Sequence, residues 1–145
     1  MATRLFRMPV VSWDLGVMTC TLGYATASAV GQNLEGQLAA LNAEGVDPRR
    51  VFTDKLSESA DRARAGLYAM LSYARSGDTV IVVALDRLGR STTEVTRTIA
   101  DLTDRGLRLR VLREGLDTGT STGRVVAGIL RSLAELDLQP DHRPH

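Results

Sequence analysis

The sequence predicts an α/β fold, a single domain whose mostly parallel sheet is covered by helices. Three observations carry that prediction. Thr79 to Ala84 is an uncharged, β-branched run behind a Gly77-Asp78 turn, as a buried strand should be. Helical periodicity begins directly after it, with Ser91 or Thr92 placed to cap the first turn and Glu94 as the acid of a capping box. The same alternation of short apolar runs and helical spacing recurs on either side, and no repeat or low-complexity segment interrupts it.

Taken in order, residues 1–19 show no clear periodicity and read as an extension, with Met18 an alternative start just ahead of the first strand. Cys20 to Ala25 is that strand, and Thr26 to Gln32 a small, polar loop. Leu34, Leu38 and Leu41 repeat at helical spacing, with Gly45 as the stop. Val51-Phe52-Thr53 is a short strand, and Asp54 to Arg64 a charged loop. Gly66 to Ala74 is a second helix with Leu67, Met70 and Leu71 inward. The helix after the Thr79–Ala84 strand runs to about Asp104 and is closed by Gly106. Leu107 to Leu112 alternates apolar residues with Arg108 and Arg110, a strand with one wet face. Glu114 to Ser121 is a glycine- and threonine-rich loop, and Val125 to Leu138 a final helix ended by Gln139-Pro140. The domain is thus expected over 20–138, with 139–145 a frayed tail.

At 145 residues and 43% hydrophobic, the chain can bury a proper core. A net charge of +1 excludes a global field that would drive nucleic-acid binding, so any basic surface must be local. Every cationic residue but Lys55 is arginine. The single Cys20 excludes an intramolecular disulfide and a cysteine-rich zinc site, and fits a reducing, cytoplasmic setting. No apolar run approaches the roughly 20 residues of a membrane span, so no membrane partner is expected. Arg4 and Arg7 ahead of Met8 to Cys20 give a faint signal-peptide pattern, but Pro9 and Asp14 break its apolar core.

Leu85-Asp86-Arg87-Leu88-Gly89-Arg90 falls where a strand ends and a helix begins. In open α/β sheets that edge binds ligands. An aspartate and two arginines in a loop ordinarily do no more than solvate it. Arg87 and Arg90, however, lie three apart and can face one anion when the first helical turn starts early. Guanidinium forks match phosphate better than any other side chain.

Three loops leaving strand ends are expected to converge there. The first offers Ser28; the second Asp54, Ser57, Arg62 and Arg64; the third Asp86, Arg87 and Arg90. A serine in a loop of small residues is usually a turn former. Facing several arginines, it can attack a phosphodiester while the guanidinium groups lower its pKa and hold the pentacoordinate phosphorus. The arginines then provide the charge that a metal ion provides elsewhere, so no metal and no other cofactor is expected. His142 and His145 lie in the tail, which excludes a Ser-His-Asp site.

These residues make the chain resemble the catalytic domain of the serine recombinases, the resolvase and DNA-invertase family, over about Leu22 to Leu136. Gly23-Tyr24-Ala25-Thr26-Ala27-Ser28-Ala29, then Gln32, stands where the family has GYARVST and a glutamine. Gln37 matches a position on the first helix, Val51 to Lys55 the family's IFTDK, Ser57 its following serine, and Arg64-Ala65-Gly66-Leu67 its R-x-G-L. Leu85 to Arg90 reproduces the most specific motif unchanged, and Glu114 to Thr118 with Thr122-Gly123-Arg124 resembles EGIDT and TGR. The resemblance implies a resolvase-like catalytic domain that recombines DNA at specific sites through a 5′-phosphoserine link. It implies Ser28 as nucleophile, Arg64, Arg87 and Arg90 as phosphate ligands, and Asp86 as the group that orients them or assists proton transfer. Gln32, Gln37, Asp54 and Ser57 support the site, and DNA and further recombinase subunits, as dimer or synaptic tetramer, are the partners.

Two departures stand out. The family's arginine two residues before the nucleophile is Thr26 here. The family's long last helix continues into a helix-turn-helix domain, whereas here it meets Pro140 and the chain stops, so a truncated relative is expected. The alternatives are therefore a recombinase that borrows DNA binding from a partner subunit, and a catalytically inactive dimerisation module or vestigial fragment. A flavodoxin-like nucleotide-binding domain shares the α/β pattern, but no glycine-rich phosphate loop is present.

Overall fold

Apolar runs with no charge need partners on both edges and cover on both faces, and the chain provides them in a five-stranded sheet. A computed structural model of the chain describes residues 19–28, 34–56 and 64–137. The expected tail, and all but residue 19 of the expected extension, lie outside the described residues. The strands are β1 (Thr21–Ser28), β2 (Val51–Leu56), β3 (Thr79–Val82), β4 (Arg108–Val111) and β5 (Leu116–Asp117), ordered β2-β1-β3-β4-β5. The first four are parallel and β5 is antiparallel to β4. Helices α1 (Leu34–Ala43), α2 (Ala65–Tyr73), α3 (Thr92–Asp104) and α4 (Ser121–Asp137) complete the mostly parallel, helix-covered sheet that the alternation predicts.

The period of two along β1 divides the core. Leu22 and Tyr24 face the larger cluster, where Val80, Val82, Leu109 and Val111 meet Leu67 and Met70 of α2 and Ile99 and Leu102 of α3. Ala25 looks the other way, onto Leu41 of α1 with Val46 and Ile81. On β4, Leu109 and Val111 are buried while Arg108 is exposed, which is the half-wet strand expected. Among the described residues no helix is long and apolar enough to cross a membrane.

Local signals set the ends of α3. Ser91 caps it, its Oγ accepting from Glu94 N at 3.1 Å, and Glu94 Oε1 reaches back to Arg90 N at 2.6 Å. At the other end Gly106 N donates to Thr103 O and Leu107 N to Leu102 O, a Schellman motif on the expected stop.

Several boundaries differ from expectation. Residues 26–28 are strand rather than loop, because β2 offers a parallel partner as far as the Ser28–Leu56 pair. Asp54 therefore sits on a strand, not in the charged loop. β3 stops at Val82, and Leu85–Arg87 forms a single 3-10 turn. Leu116-Asp117 pairs back onto Val111 and Arg110 inside the stretch read as a loop. A two-residue strand has no periodicity to read. α4 begins at Ser121, four residues early, because Thr120 accepts from Gly123 N and holds the first turn.

Candidate active site

From β1 the chain crosses to β2 on one side, and from β3 to β4 on the other. The gap between β1 and β3 at their carboxyl ends is the switch point of such a sheet, where ligands bind. Ser28 is the last residue of β1 and is described by its backbone. The turn carrying Asp86 and Arg87 follows β3 to the same edge and touches β1. Leu88, fully buried in the larger core, anchors the turn, and its carbonyl accepts from Thr98 Oγ1 at 3.0 Å. Gly89 lies so near α3 that a Cβ would stand 2.7 Å from Glu94 Cβ, so no larger residue fits that position without displacing the helix.

Gln37 fills the gap. Cys20 O accepts from Thr79 N, so even-numbered residues of β1 turn their backbone groups toward β3. At Thr26 there is no β3 residue left to meet them, since β1 pairs with β3 only over Thr21–Gly23. The Gln37 carboxamide takes that place, Oε1 accepting from Thr26 N at 3.1 Å and Nε2 donating to Thr26 O at 2.6 Å. One side chain from α1 thus fixes the backbone two residues ahead of Ser28. Thr26 itself is 1% exposed.

Asp54 does not face solvent. Its Oδ1 accepts from Gly66 N at 2.7 Å and its Oδ2 from Leu67 N at 2.9 Å, so it caps α2 from a neighbouring strand. Arg64, the residue at the cap position, makes no side-chain cap bond. Gly66 permits the close approach, because a Cβ there would collide with the Thr53 carbonyl. Tyr24 completes the cluster: its hydroxyl donates to Asp54 Oδ2 at 2.7 Å and accepts from Arg64 Nη2 at 3.2 Å. Burial, reinforced by the bond to Asp54, pushes the Tyr24 phenol well above its ordinary value, so it stays a donor. The Arg64 guanidinium lies 5.9 Å from the Tyr24 ring centre and is 5% exposed, with its Nε buried and unpartnered.

The arginine turn is wetter. Asp86 Oδ1 stands 3.4 Å from Arg87 Nε, an ion-pair distance, but the pair makes no hydrogen bond and Arg87 Nε remains buried without a partner. Asp86 Oδ2 is 3.5 Å from Arg113 Nη2, and Arg113 also grips Glu114 at 3.0 Å. Glu114 Oε1 accepts from Leu85 N at 3.0 Å, tying the end of β4 to the start of the turn. Burial opposes ionisation of Glu114, but the Leu85 N–H and Arg113 outweigh it and hold its carboxyl below the usual value. Arg90 lies beside Glu94 at 3.7 Å and, with Asp86 and Arg113, lines a cleft of about 490 Å³ between the turn, α3 and Leu130 of α4.

Ser28, Arg64, Asp86, Arg87 and Arg90 therefore come to one sheet edge from three elements, with Gln37 and Asp54 behind them. Gln32 and Ser57 lie outside the described residues. Tyr24 and Arg113 received no role from the sequence. A tyrosine in an otherwise apolar strand was a signal for the first, because a buried phenol needs a partner. Nothing local marked Arg113.

The description "Resolvase, N terminal domain" matches residues 21–139. A resolvase/recombinase of Pseudomonas putida is 39% identical over 115 residues, covering 79% of this chain and 63% of that protein. The DNA-invertase hin of Salmonella typhimurium is 36% identical over 117 residues, covering 81% and 60%. The Tn3 transposon resolvase of Escherichia coli is 36% identical over 115, covering 79% and 62%. The chain thus spans about three fifths of the length of the curated relatives it matches. The N-terminal catalytic domain of TP901-1 integrase shares the fold, with a TM-score of 0.63 at 24% identity over 82% of this chain and 96% of that one. With its parallel sheet, its arginine turn and these matches over most of its length, the chain belongs to the resolvase family, in the part that forms the family's N-terminal domain.

Proposed function

We propose that this chain is the catalytic domain of a site-specific DNA recombinase. Ser28 Oγ attacks a backbone phosphorus, the new O–P bond forms as the bond to the 3′-oxygen breaks, and the serine proton leaves while the 3′-oxygen takes one up. The products are a 5′-phosphoserine link and a free 3′-hydroxyl, and the reverse attack by an exchanged 3′-hydroxyl reseals the strand. Arg64, Arg87 and Arg90 hold the non-bridging oxygens, Asp86 orients the turn, and Gln37 and Asp54 fix β1 and α2 around them. The proposed setting is cytoplasmic.

One observation carries this reading: two arginines at the edge where β1 ends, Arg64 and Arg87, each keep a buried N–H donor with no acceptor. Buried donors left unpaired are costly, and a phosphate oxygen is the acceptor that guanidinium geometry fits. Thr26 leaves Arg64 as the cation beside Tyr24, which favours a weakened site.

A second reading, a module that pairs with an intact recombinase, draws on α4. Val125, Ile129, Leu133 and Leu136 are 63%, 56%, 47% and 47% exposed, a stripe suited to another recombinase subunit, of its own kind or a different one. Residues 18–136 grafted onto the last helix and DNA-binding domain of an active relative separate the two. Covalent protein–DNA adducts lost on Ser28→Ala support catalysis; adducts with the Thr26→Arg graft alone make the natural chain a pseudoenzyme. Absence of adducts from both folded grafts favours the module.

A further inference from the structure

Two side chains from outside the arginine turn hold its ends. At Arg113, whose N–H donates to Val83 O at 2.8 Å, β4 runs out of ladder, and Gly115, with φ of 75°, turns the chain away. The turn begins at Leu85, and Ala84 ahead of it has no side chain to cap the Leu85 N–H. The Glu114 carboxylate supplies that acceptor at 3.0 Å, much as Gln37 does for Thr26 where β3 runs out. At the far end stands Thr98. A threonine inside a helix ordinarily returns its hydroxyl to that helix, as Thr96 and Thr103 do here at 3.0 and 2.8 Å. Thr98 Oγ1 lies 2.9 Å from Glu94 O but also 3.0 Å from Leu88 O, so its single proton is shared with the carbonyl that closes the turn.

Between these two points lies Arg87. Its Nε–H is buried without a hydrogen-bond acceptor, yet the side chain is 22% exposed, so water is close at hand. A donor in that position gains by turning out to solvent unless its backbone is fixed. The turn's own bonds, Arg87 N to Ala84 O and Leu88 N to Leu85 O, set its shape but not its place between β4 and α3. Leu88 anchors one end in the core. Without Glu114 the other end is free to pivot about that anchor; water can satisfy the Leu85 N–H but cannot fix it.

We propose that Glu114 and Thr98 are positioning residues: they clamp the arginine turn at its first N–H and its last carbonyl, and so keep the Arg87 Nε–H bare and buried, preorganised for an oxygen of a phosphodiester. The identity of that acceptor rests on the reading of this edge as a phosphodiester site; the clamp does not. Each residue acts through the backbone of the turn.

The test follows the arginine Nε–H resonances of the isotope-labelled full chain by NMR, with Arg64 as internal reference because the separate Tyr24 cluster holds it. Thr98→Val and Glu114→Ala each delete one end of the clamp, whereas Thr98→Ser and Glu114→Gln each keep the hydrogen bond. In both deletions, exchange of the Arg87 Nε–H with water should rise roughly tenfold, the equivalent of one hydrogen bond, while Arg64 stays within about twofold of wild type. Both conservative variants return to the wild-type pattern. Affinity for thymidylyl-(3′→5′)-thymidine, which carries one phosphodiester, falls and recovers in step. Unchanged Arg87 exchange in the two deletions overturns the clamp. So does equal acceleration at Arg64, which means that the variants loosen the whole domain. A wild-type chain whose Arg64 and Arg87 resonances ignore the dinucleotide, with the exchange pattern as expected, overturns the phosphodiester reading and leaves the clamp standing.

Discussion

Arg64 and Arg87 present the same chemistry, a guanidinium with a buried, unpartnered Nε, at the same sheet edge, but they are held in opposite ways. Arg64 is 5% exposed and fixed through Tyr24 to an aspartate that is itself bonded to two helix amides. Arg87 sits on a turn whose partners, Asp86 and Arg113, have side chains 59% exposed. In the first setting every group is desolvated, so removing one leaves others stranded. In the second, water replaces whatever is lost. The two halves should therefore differ in what they contribute to folding, even though both belong to the proposed phosphate site.

The most severe way to break the comparison is Asp54→Ala. It removes the cap of α2 and strands the Tyr24 hydroxyl, and should cost about 3 kcal/mol in urea denaturation. Tyr24→Phe comes next, at about 1.5 kcal/mol, since Asp54 keeps its two helix amides while Arg64 Nη2 loses its acceptor. A smaller effect is expected from the surface fork of Arg108 on Asp117 across β4 and β5. Arg108 lowers the Asp117 carboxyl to about 2 from 3.8. A depressed folded pKa means stability that is fully present above 3.8 and is lost as pH falls toward about 2. Asp117→Asn should flatten that part of a stability–pH profile and leave pH 7 and above with a small uniform loss. Smallest is Asp86→Asn, under about 0.5 kcal/mol because its pairs are exposed. If Asp86→Asn destabilised the fold as much as Asp54→Ala, the contrast between a buried and a wet half would collapse.

The same contrast explains what could be read in the sequence. The wet half was legible except for Arg113: Asp86, Arg87 and Arg90 advertise themselves between a β-branched run and a capped helix, and Ser91, Glu94 and Gly106 behave as their local patterns predict. Local signals act within a few residues, so a linear reading finds them. The buried half was visible only as motif letters. Asp54 bonds atoms 12 and 13 residues away, and Tyr24 meets partners 30 and 40 residues away, so no spacing rule exposes what they do. Gln37 is harder still. Its role follows from β3 stopping short of Thr26, a fact about two other elements. The extra length of β1 and β2 has the same origin, each strand being prolonged by the other.

Many α/β proteins seize free nucleotides by aiming the amino end of a helix at a phosphate. At this edge the oxygen of Asp54 already occupies the first turn of α2, and Ser91 with Glu94 occupies that of α3. Those dipoles are stoppered by the protein's own oxygens. At these two helix ends anion capture is left to side chains, which can be spaced along a polymer in a way that a single helix end cannot. Millimolar ATP should therefore find no free dipole at α2 or α3 and leave the melting temperature where it was.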